Sequence, residues 1–353
     1  MRICYLTRNY KTARHGGGKA RQDMEQLMRR HGCRNLGIRT TRCRNKVADF
    51  FLTFAGVMAY TLRLRRGDVV VLQYPVKKYF RYLCCLARMR GAKTVTLVHD
   101  LGSFRRHRLT PDEEVRKLSL TDALIISNEA EIGWLRDHGC RVPMTPQVAW
   151  DYLSDSKPQH VPDPEEAVAR PSLMYVGNVW QRSNGFLYKI QGVPMHLYGK
   201  GDALPDDKHF VYGHTLDSEI IRNATASFAL VWYGNSLNCT DGFIGEYIRY
   251  CNTHKLSLYM RCSRPVIISS ESGMAPFVRR EGIGIAVDTL EDIAERLAAV
   301  TPEEYEQMQR NVECVSALMA DGHYFYAALD RAVALLDGGA ATERIQSEAH
   351  NRI

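Results

Sequence analysis

No stretch of these 353 residues is long and apolar enough to cross a bilayer. The most apolar run, Val47 to Leu64, carries Asp49 and Arg63 and is too amphipathic to span; it reads as a buried helix of a first domain. Met1-Arg2 leads straight into the strand-like Ile3–Thr7, without the apolar core and cleavage site of a secretory leader. A cytoplasmic protein is expected, at most peripheral at the inner face of the membrane. There is no CxxC pair, and the ten cysteines are scattered, which reads as buried free thiols rather than a disulfide or zinc framework. HExxH, GxSxG and clustered His/Cys sets are absent, which turns the reading away from zinc enzymes and serine hydrolases. No Asp-x-Asp pair closes a strand, and Asp206-Asp207 reads as a solvated loop after Pro205. The chemistry expected is therefore metal-independent, with no cofactor. Solenoid-length repeats are also lacking.

What is abundant is positive charge at one end. The formal net charge is +8. From Arg2 to Lys46 thirteen Arg and Lys residues face only Asp23 and Glu25, whereas the second half is mildly acidic. One lobe carries a positive field suited to phospholipid headgroups, lipid-diphosphate acceptors or nucleic acid. No recognisable nucleic-acid module accompanies the charge, so nucleic acid is not expected as a partner. A peripheral membrane contact through the basic lobe, and a homo-oligomer, stay open.

Short apolar runs alternate with helical patterns. In the first half the strand candidates are 2–7, 35–39, 69–74, 94–99, 123–127 and 142–148, with helices at 19–31, 47–65, 79–90 and 129–138. Near-continuous apolar strands fit a parallel sheet covered on both faces, and the alternation fits a doubly wound α/β domain. The proline- and charge-rich stretch 154–171 reads as a linker. The alternation restarts with strands at 172–176, 195–198, 210–212, 228–232, 265–268 and 284–287, and helices at 255–262, 274–280, 290–299 and 302–318. The expectation is an N-terminal Rossmann-like domain (1–153), the linker, a C-terminal Rossmann-like domain (172–320), and a final helix with a polar tail (321–353) that packs back on the first domain. Two such sheets facing across a cleft would bind ligand at their carboxyl edges.

Four motifs fall at such edges. Arg14-His15-Gly16-Gly17-Gly18-Lys19, after the first strand, offers backbone N–H groups and a helix N-terminus to an anion. Leu97-Val98-His99-Asp100-Leu101, with Arg105 nearby, delivers His99 and Asp100 as candidate acid–base groups. Tyr175-Val176-Gly177-Asn178 ends the first strand of the second domain, with Arg182 following, and Tyr198-Gly199-Lys200-Gly201 ends the next; these suit a base, a ribose and a phosphate. The sharpest runs from Tyr250-Cys251-Asn252-Thr253-His254-Lys255 into Leu256-Ser257-Leu258-Tyr259-Met260, then Arg264-Pro265-Val266-Ile267. Lys255, at the start of a helix, is placed to hold a diphosphate and stabilise its charge as a leaving group.

These residues resemble the bacterial galactofuranosyltransferase and glucosyltransferase-three-like family. Gln73-Tyr74-Pro75 through His99-Asp100-Leu101 and Arg105, the segment Leu124–Gly139, Tyr175–Asn178, and Tyr250–Ile267 match its motifs in order, over roughly Met1 to Leu318. The resemblance implies a GT-B fold and a UDP-hexose donor, with glucose, galactose or galactofuranose transferred in surface polysaccharide or glycan assembly to a saccharide or lipid-linked saccharide. It implies that Tyr250, Asn252, His254 and Lys255 hold the nucleotide diphosphate, with Gly177, Asn178 and Arg182 in the same site; Tyr198 and Gly199 are expected there from their place at the end of the next strand. Asp100 or His99 would meet the acceptor near Gly17 and Gly18. Two places depart from the pattern. Ser263 stands where the family usually has glycine, and Leu258 where broader retaining glycosyltransferases have glutamate, so stereochemistry stays open. A non-catalytic nucleotide- or glycan-binding protein of the same fold is the alternative, and a sugar-nucleotide epimerase a third.

Overall fold

The computed structural model describes residues 1–7, 9–10, 16–76, 78–106, 109–202 and 210–337. Arg14, His15, Asp206, Asp207 and the polar tail from Gly338 lie outside the described residues, as do the side chains of Arg105 and Arg106. The chain divides into two compact units: residues 1–147 with the segment from Tyr324, and Val148–His323. The division falls six residues before the expected boundary at 153.

The first unit runs β1 (Arg2–Tyr5), α1 (Gly16–Arg30), β2 (Arg34–Asn35), α2 (Lys46–Arg63), β3 (Asp68–Tyr74), α3 (Phe80–Met89), β4 (Lys93–Val98), α4 (Gly102–Arg106), α5 (Pro111–Leu118), β5 (Ala123–Ile126), α6 (Glu129–Asp137) and β6 (Met144–Pro146). The strands form one parallel sheet in the order β2-β1-β3-β4-β5-β6. All seven residues of β3 and the last five of β4 are buried, which is what a central parallel strand covered on both faces requires.

The second unit runs α7 (Pro164–Ala169), β7 (Leu173–Val176), β8 (Met195–Tyr198), β9 (Phe210–Tyr212), α8 (Asp217–Asn223), β10 (Phe228–Val231), α9 (Gly242–Ile248), α10 (His254–Arg261), β11 (Val266–Ser269), α11 (Ala275–Glu281), β12 (Gly284–Val287), α12 (Ile293–Ala298) and α13 (Pro302–Asp321). Its parallel sheet has the order β12-β11-β10-β7-β8-β9. Strand order reverses between β7 and β10, so their carboxyl ends diverge and leave a crevice. Among the described residues each unit has an apolar core cluster of its own.

The last helix, α14 (His323–Ala334), follows Gly322, which caps α13 at φ 83°. From Tyr324 onward it belongs to the first unit. The Tyr326 hydroxyl donates to Leu27 O at 3.1 Å, its ring stacks on His31, and Arg331 donates to Thr145 and Pro146.

Three local readings are corrected. Residues 154–171 are not a bare linker: Asp163 caps α7, which packs on α13. The fully buried Arg264 donates to His160 O and Ala224 O, and Gln309 donates to Pro162 O. These long-range bonds hide in a segment with no apolar period. Gly16, Gly17 and Gly18 form the first turn of α1 rather than a loop before it. The α2 helix buries Gly56, Val57 and Tyr60 but leaves Val47, Phe50, Phe51, Phe54, Met58 and Leu62 exposed. It is therefore not the buried helix its composition suggests. Ser263 takes φ 56°, the left-handed region where glycine is unstrained, which accounts for glycine being usual at that place.

Candidate functional site

The second unit's crevice is built around one lysine. Thr253 caps α10, its hydroxyl accepting from Lys255 N at 3.4 Å. That fixes the first turn of α10 and sends the Lys255 side chain to the carboxyl ends of β7 and β10. Its Nζ donates to the Tyr175 hydroxyl at 2.8 Å and lies 4.0 Å from the Tyr175 ring centroid and 4.4 Å from that of Tyr233. Tyr175 ends the buried part of β7, and Tyr233 follows β10. The amine thus sits where strand order reverses. Burial among the rings disfavours the ammonium and lowers its pKa to about 7, while the ring faces partly compensate the charge.

The surrounding bonds lock this arrangement. The Tyr175 hydroxyl donates to Asn184 Oδ1 at 3.1 Å, and Asn184 Nδ2 donates to Asn178 O at 2.8 Å, tying the lysine to the loop after β7. The Tyr233 hydroxyl and Thr253 Oγ1 lie 2.9 Å apart. Tyr259, buried on α10, fills the fork between the strands: Val176 N donates to its hydroxyl at 2.9 Å, and that hydroxyl donates to Leu230 O at 3.1 Å.

Gly177 has φ 146°, and a Cβ there would stand 3.0 Å from Lys255 Nζ. Glycine therefore leaves open backbone facing the amine. Gly199 and Gly201 serve a different need. Added Cβ atoms would stand 1.7 Å from Gly177 O and 2.4 Å from the Val179 carbonyl carbon, so only glycine lets the loops after β7 and β8 run against each other. Beside these loops lies an open cavity of about 590 Å³, lined by Trp180, Lys200, Asp202 and Tyr212 with the adjoining glycines.

In the first unit, His99 and Asp100 follow β4. His99 Nε2 lies 2.7 Å from Gln73 Oε1, at the end of β3. The fully buried Glu114 fixes the segment after Asp100. Its oxygens accept from Gly102 N at 2.8 Å, from Ser103 N and Oγ at 2.6 Å each, and from the Tyr74 hydroxyl at 2.8 Å. Those bonds hold the N-terminus of α4, which carries Arg105. Burial raises the nearby Glu131 carboxyl to about 8.

Comparison with known proteins decides the family. Residues 3–149 match the glucosyltransferase 3-like N-terminal domain, and residues 173–332 the C-terminal domain of the same family. The chain belongs to the glucosyltransferase 3-like family. It is 25% identical over 324 residues to the β-1,6-galactofuranosyltransferase WbbI of Escherichia coli K12, covering 91% of this chain and 95% of the relative. It is 26% identical over 275 residues to glucosyltransferase 3 of Streptococcus gordonii, covering 76% and 79%. The fold matches HepE of Anabaena, solved with UDP, at TM-score 0.58 and 11% identity over 95% of this chain and 99% of that one. It also matches WaaG, a glycosyltransferase of lipopolysaccharide biosynthesis, at TM-score 0.50 and 13% identity over 96% and 100%. This glucosyltransferase 3-like chain is a hexosyltransferase of the GT-B fold, with two parallel-sheet Rossmann-like domains.

Against that identity the expected residues separate. Lys255 and Gly177 meet, as do the backbones around Gly177, Tyr198 and Gly199, with Gly177 N donating to Tyr198 O at 2.9 Å. Asn178 is exposed beside them. Arg182 is exposed, its guanidinium 5.8 Å from the Trp180 ring centroid. Asn252 is buried: its Nδ2 donates to Val148 O at 3.0 Å, and its carbonyl accepts from Trp150 Nε1 at 2.9 Å. It anchors the entry to α10. The His254 ring packs 4.8 Å from that of Tyr152, and Tyr250 sits in the turn after α9. Tyr175, Tyr233, Thr253 and Tyr259 were not among the expected site residues. Three of them lie inside the quoted motifs, where their contact with Lys255 or the fork has no sequence signature. Tyr233 lies outside every motif, and only its position after a buried strand could have drawn notice. Among the described residues no group of three or more His, Cys, Asp or Glu is placed to hold a metal ion, and no helix is long and apolar enough to cross a membrane.

Proposed function

We propose that this glycosyltransferase takes a hexosyl group (glucose, galactose or galactofuranose) from a UDP-sugar and passes it to a saccharide or lipid-linked saccharide in surface polysaccharide or glycan assembly. The observation that carries the reading is the Lys255 amine, held by Tyr175 and Tyr233 beside the open backbone of Gly177. A diphosphate at this point would find a fixed cation and the N-terminal amides of α10. The HepE structures hold UDP, UDP with glucose, and UDP-glucose, which supports the same donor class. The cavity beside Trp180 and Tyr212 offers aromatic surface for the base and ribose.

In the step proposed, the bond between the anomeric carbon and the β-phosphate oxygen breaks, and UDP departs with the electron pair. The acceptor oxygen bonds the anomeric carbon, and its proton passes to Asp100 or His99, on the side of Gly17, Gly18 and Arg105. Lys255 neutralises the charge gained by the leaving diphosphate, with Arg182 as a second cation, so no metal ion is required. The test is UDP release from a panel of UDP-hexoses in the presence of EDTA, with and without saccharide acceptors. Acceptor-dependent release supports the proposal. UDP binding with no turnover on any donor–acceptor pair would favour a binding protein, and sugar interconversion without acceptor an epimerase.

A further inference from the structure

The α2 helix is capped by Asn45, whose side chain accepts from Val47 N and Ala48 N, and it is anchored inwards by Tyr60, whose hydroxyl donates to Leu83 O. Its other face is apolar and open. Val47, Phe51 and Leu62 are 66%, 62% and 79% exposed, and Phe50, Phe54 and Met58 lie in line with them. At the helical turn angle these six side chains fall within an arc of about 120°, a continuous stripe rather than scattered exposure. Three phenylalanines in one open stripe mark an interaction surface.

The rim indicates the occupant. Between positions 39 and 66 the chain carries Arg39, Arg42, Arg44, Lys46, Arg63, Arg65 and Arg66, all exposed, and a single acid, Asp49. Asp49 is engaged, accepting from Asn9 Nδ2 at 2.8 Å. Lys78 adds a cation 5.3 Å from the Phe50 ring centroid. Cations thus stand at both ends of the stripe. A second copy meeting this face by a two-fold axis would set one cationic rim against another. Anionic headgroups satisfy the rim, and the acyl boundary the stripe.

We infer that the outer face of α2 docks this protein on an anionic lipid bilayer, with the helix lying in the plane of the surface. The inference stands apart from the donor site, since no residue of α2 contributes to it.

The experiment is co-sedimentation of the full chain with phosphatidylcholine vesicles, with and without phosphatidylglycerol, at low and high salt. The wild type sediments with the anionic vesicles and is released by salt. The triple variant Phe50→Ser/Phe51→Ser/Phe54→Ser and the charge variant Lys46→Glu/Arg65→Glu/Arg66→Glu each bind about tenfold more weakly or worse. Unchanged UDP affinity in both reports an intact fold. Should either variant fail to fold, Phe51→Trp gives a second reading, a blue-shifted emission on adding anionic vesicles. Wild type remaining in the supernatant at every composition overturns the inference. So does a wild-type dimer that the serine variant dissociates without any change in lipid binding, because the face is then covered by a second copy.

Discussion

Lys255 Nζ and the Tyr175 hydroxyl meet at 2.8 Å, joining the first turn of α10 to the end of β7. The lysine is thereby held before any ligand arrives, in surroundings that lower its pKa to about 7. A cation kept partly desolvated and aimed at open backbone has much to gain from a diphosphate and little left to reorganise.

Gly177 keeps that backbone open. In Gly177→Ala the new methyl would stand 3.0 Å from Nζ and 3.1 Å from Cε, on a residue at φ 146°. The lysine must move, and the backbone is strained. UDP affinity should fall about tenfold or more while the far-UV circular dichroism spectrum is retained, as calorimetry on the folded variant would read.

The Lys255 titration predicts a pH signature. Its folded pKa of about 7 lies below the ordinary 10.5, so between these values the unfolded chain binds the extra proton. Stability should therefore rise with pH through that window, relative to a Lys255→Met variant that lacks the group. UDP has the opposite demand, since it favours the ammonium. Its affinity should be greatest below pH 7 and decline as pH rises above it. Denaturation and UDP titrations of both proteins across pH 6–10 would show the two slopes with opposite signs.

Tyr259 closes the fork between β7 and β10 with one hydroxyl. Tyr259→Phe keeps the ring and removes the bonds to Val176 N and Leu230 O. The expected loss is about 1–3 kcal/mol of stability, the cost of buried backbone groups left unpaired. It should come with weaker UDP binding, and urea denaturation measures the first effect independently of the second.

Glu114 holds the start of α4 through both carboxylate oxygens. Glu114→Gln turns one acceptor into a donor facing donors, which should cost about 1–3 kcal/mol. Because the change lies in the first unit, acceptor KM should rise while UDP affinity is kept. Equal effects on donor and acceptor would detach α4 from the acceptor side.

Both parallel sheets were legible in the sequence, because buried strands such as Val69–Tyr74 and Phe228–Val231 are near-continuous apolar runs. The place of Lys255 in the first turn of α10 was legible because a polar, cation-bearing loop opens a helix ahead of a buried strand. The short helices α4, α8 and α9 were not, since they hold fewer than three turns and their patterns merge with the loops around them. Glu114 and Arg264 order segments that look structureless, through bonds to partners distant in the chain. The α2 helix misled because an apolar face carries no mark of whether it turns inward or outward. Tyr233 and Tyr259 act through contacts that only the folded strands create.

The most direct measurement compares UDP, UMP and uridine binding to the wild type and to Lys255→Met by calorimetry without added metal. The wild type should prefer UDP to uridine strongly, and the variant should lose about tenfold or more of its UDP affinity with uridine binding little changed. A folded Lys255→Met protein that binds UDP as tightly as the wild type would remove Lys255 from the diphosphate site and contradict the account.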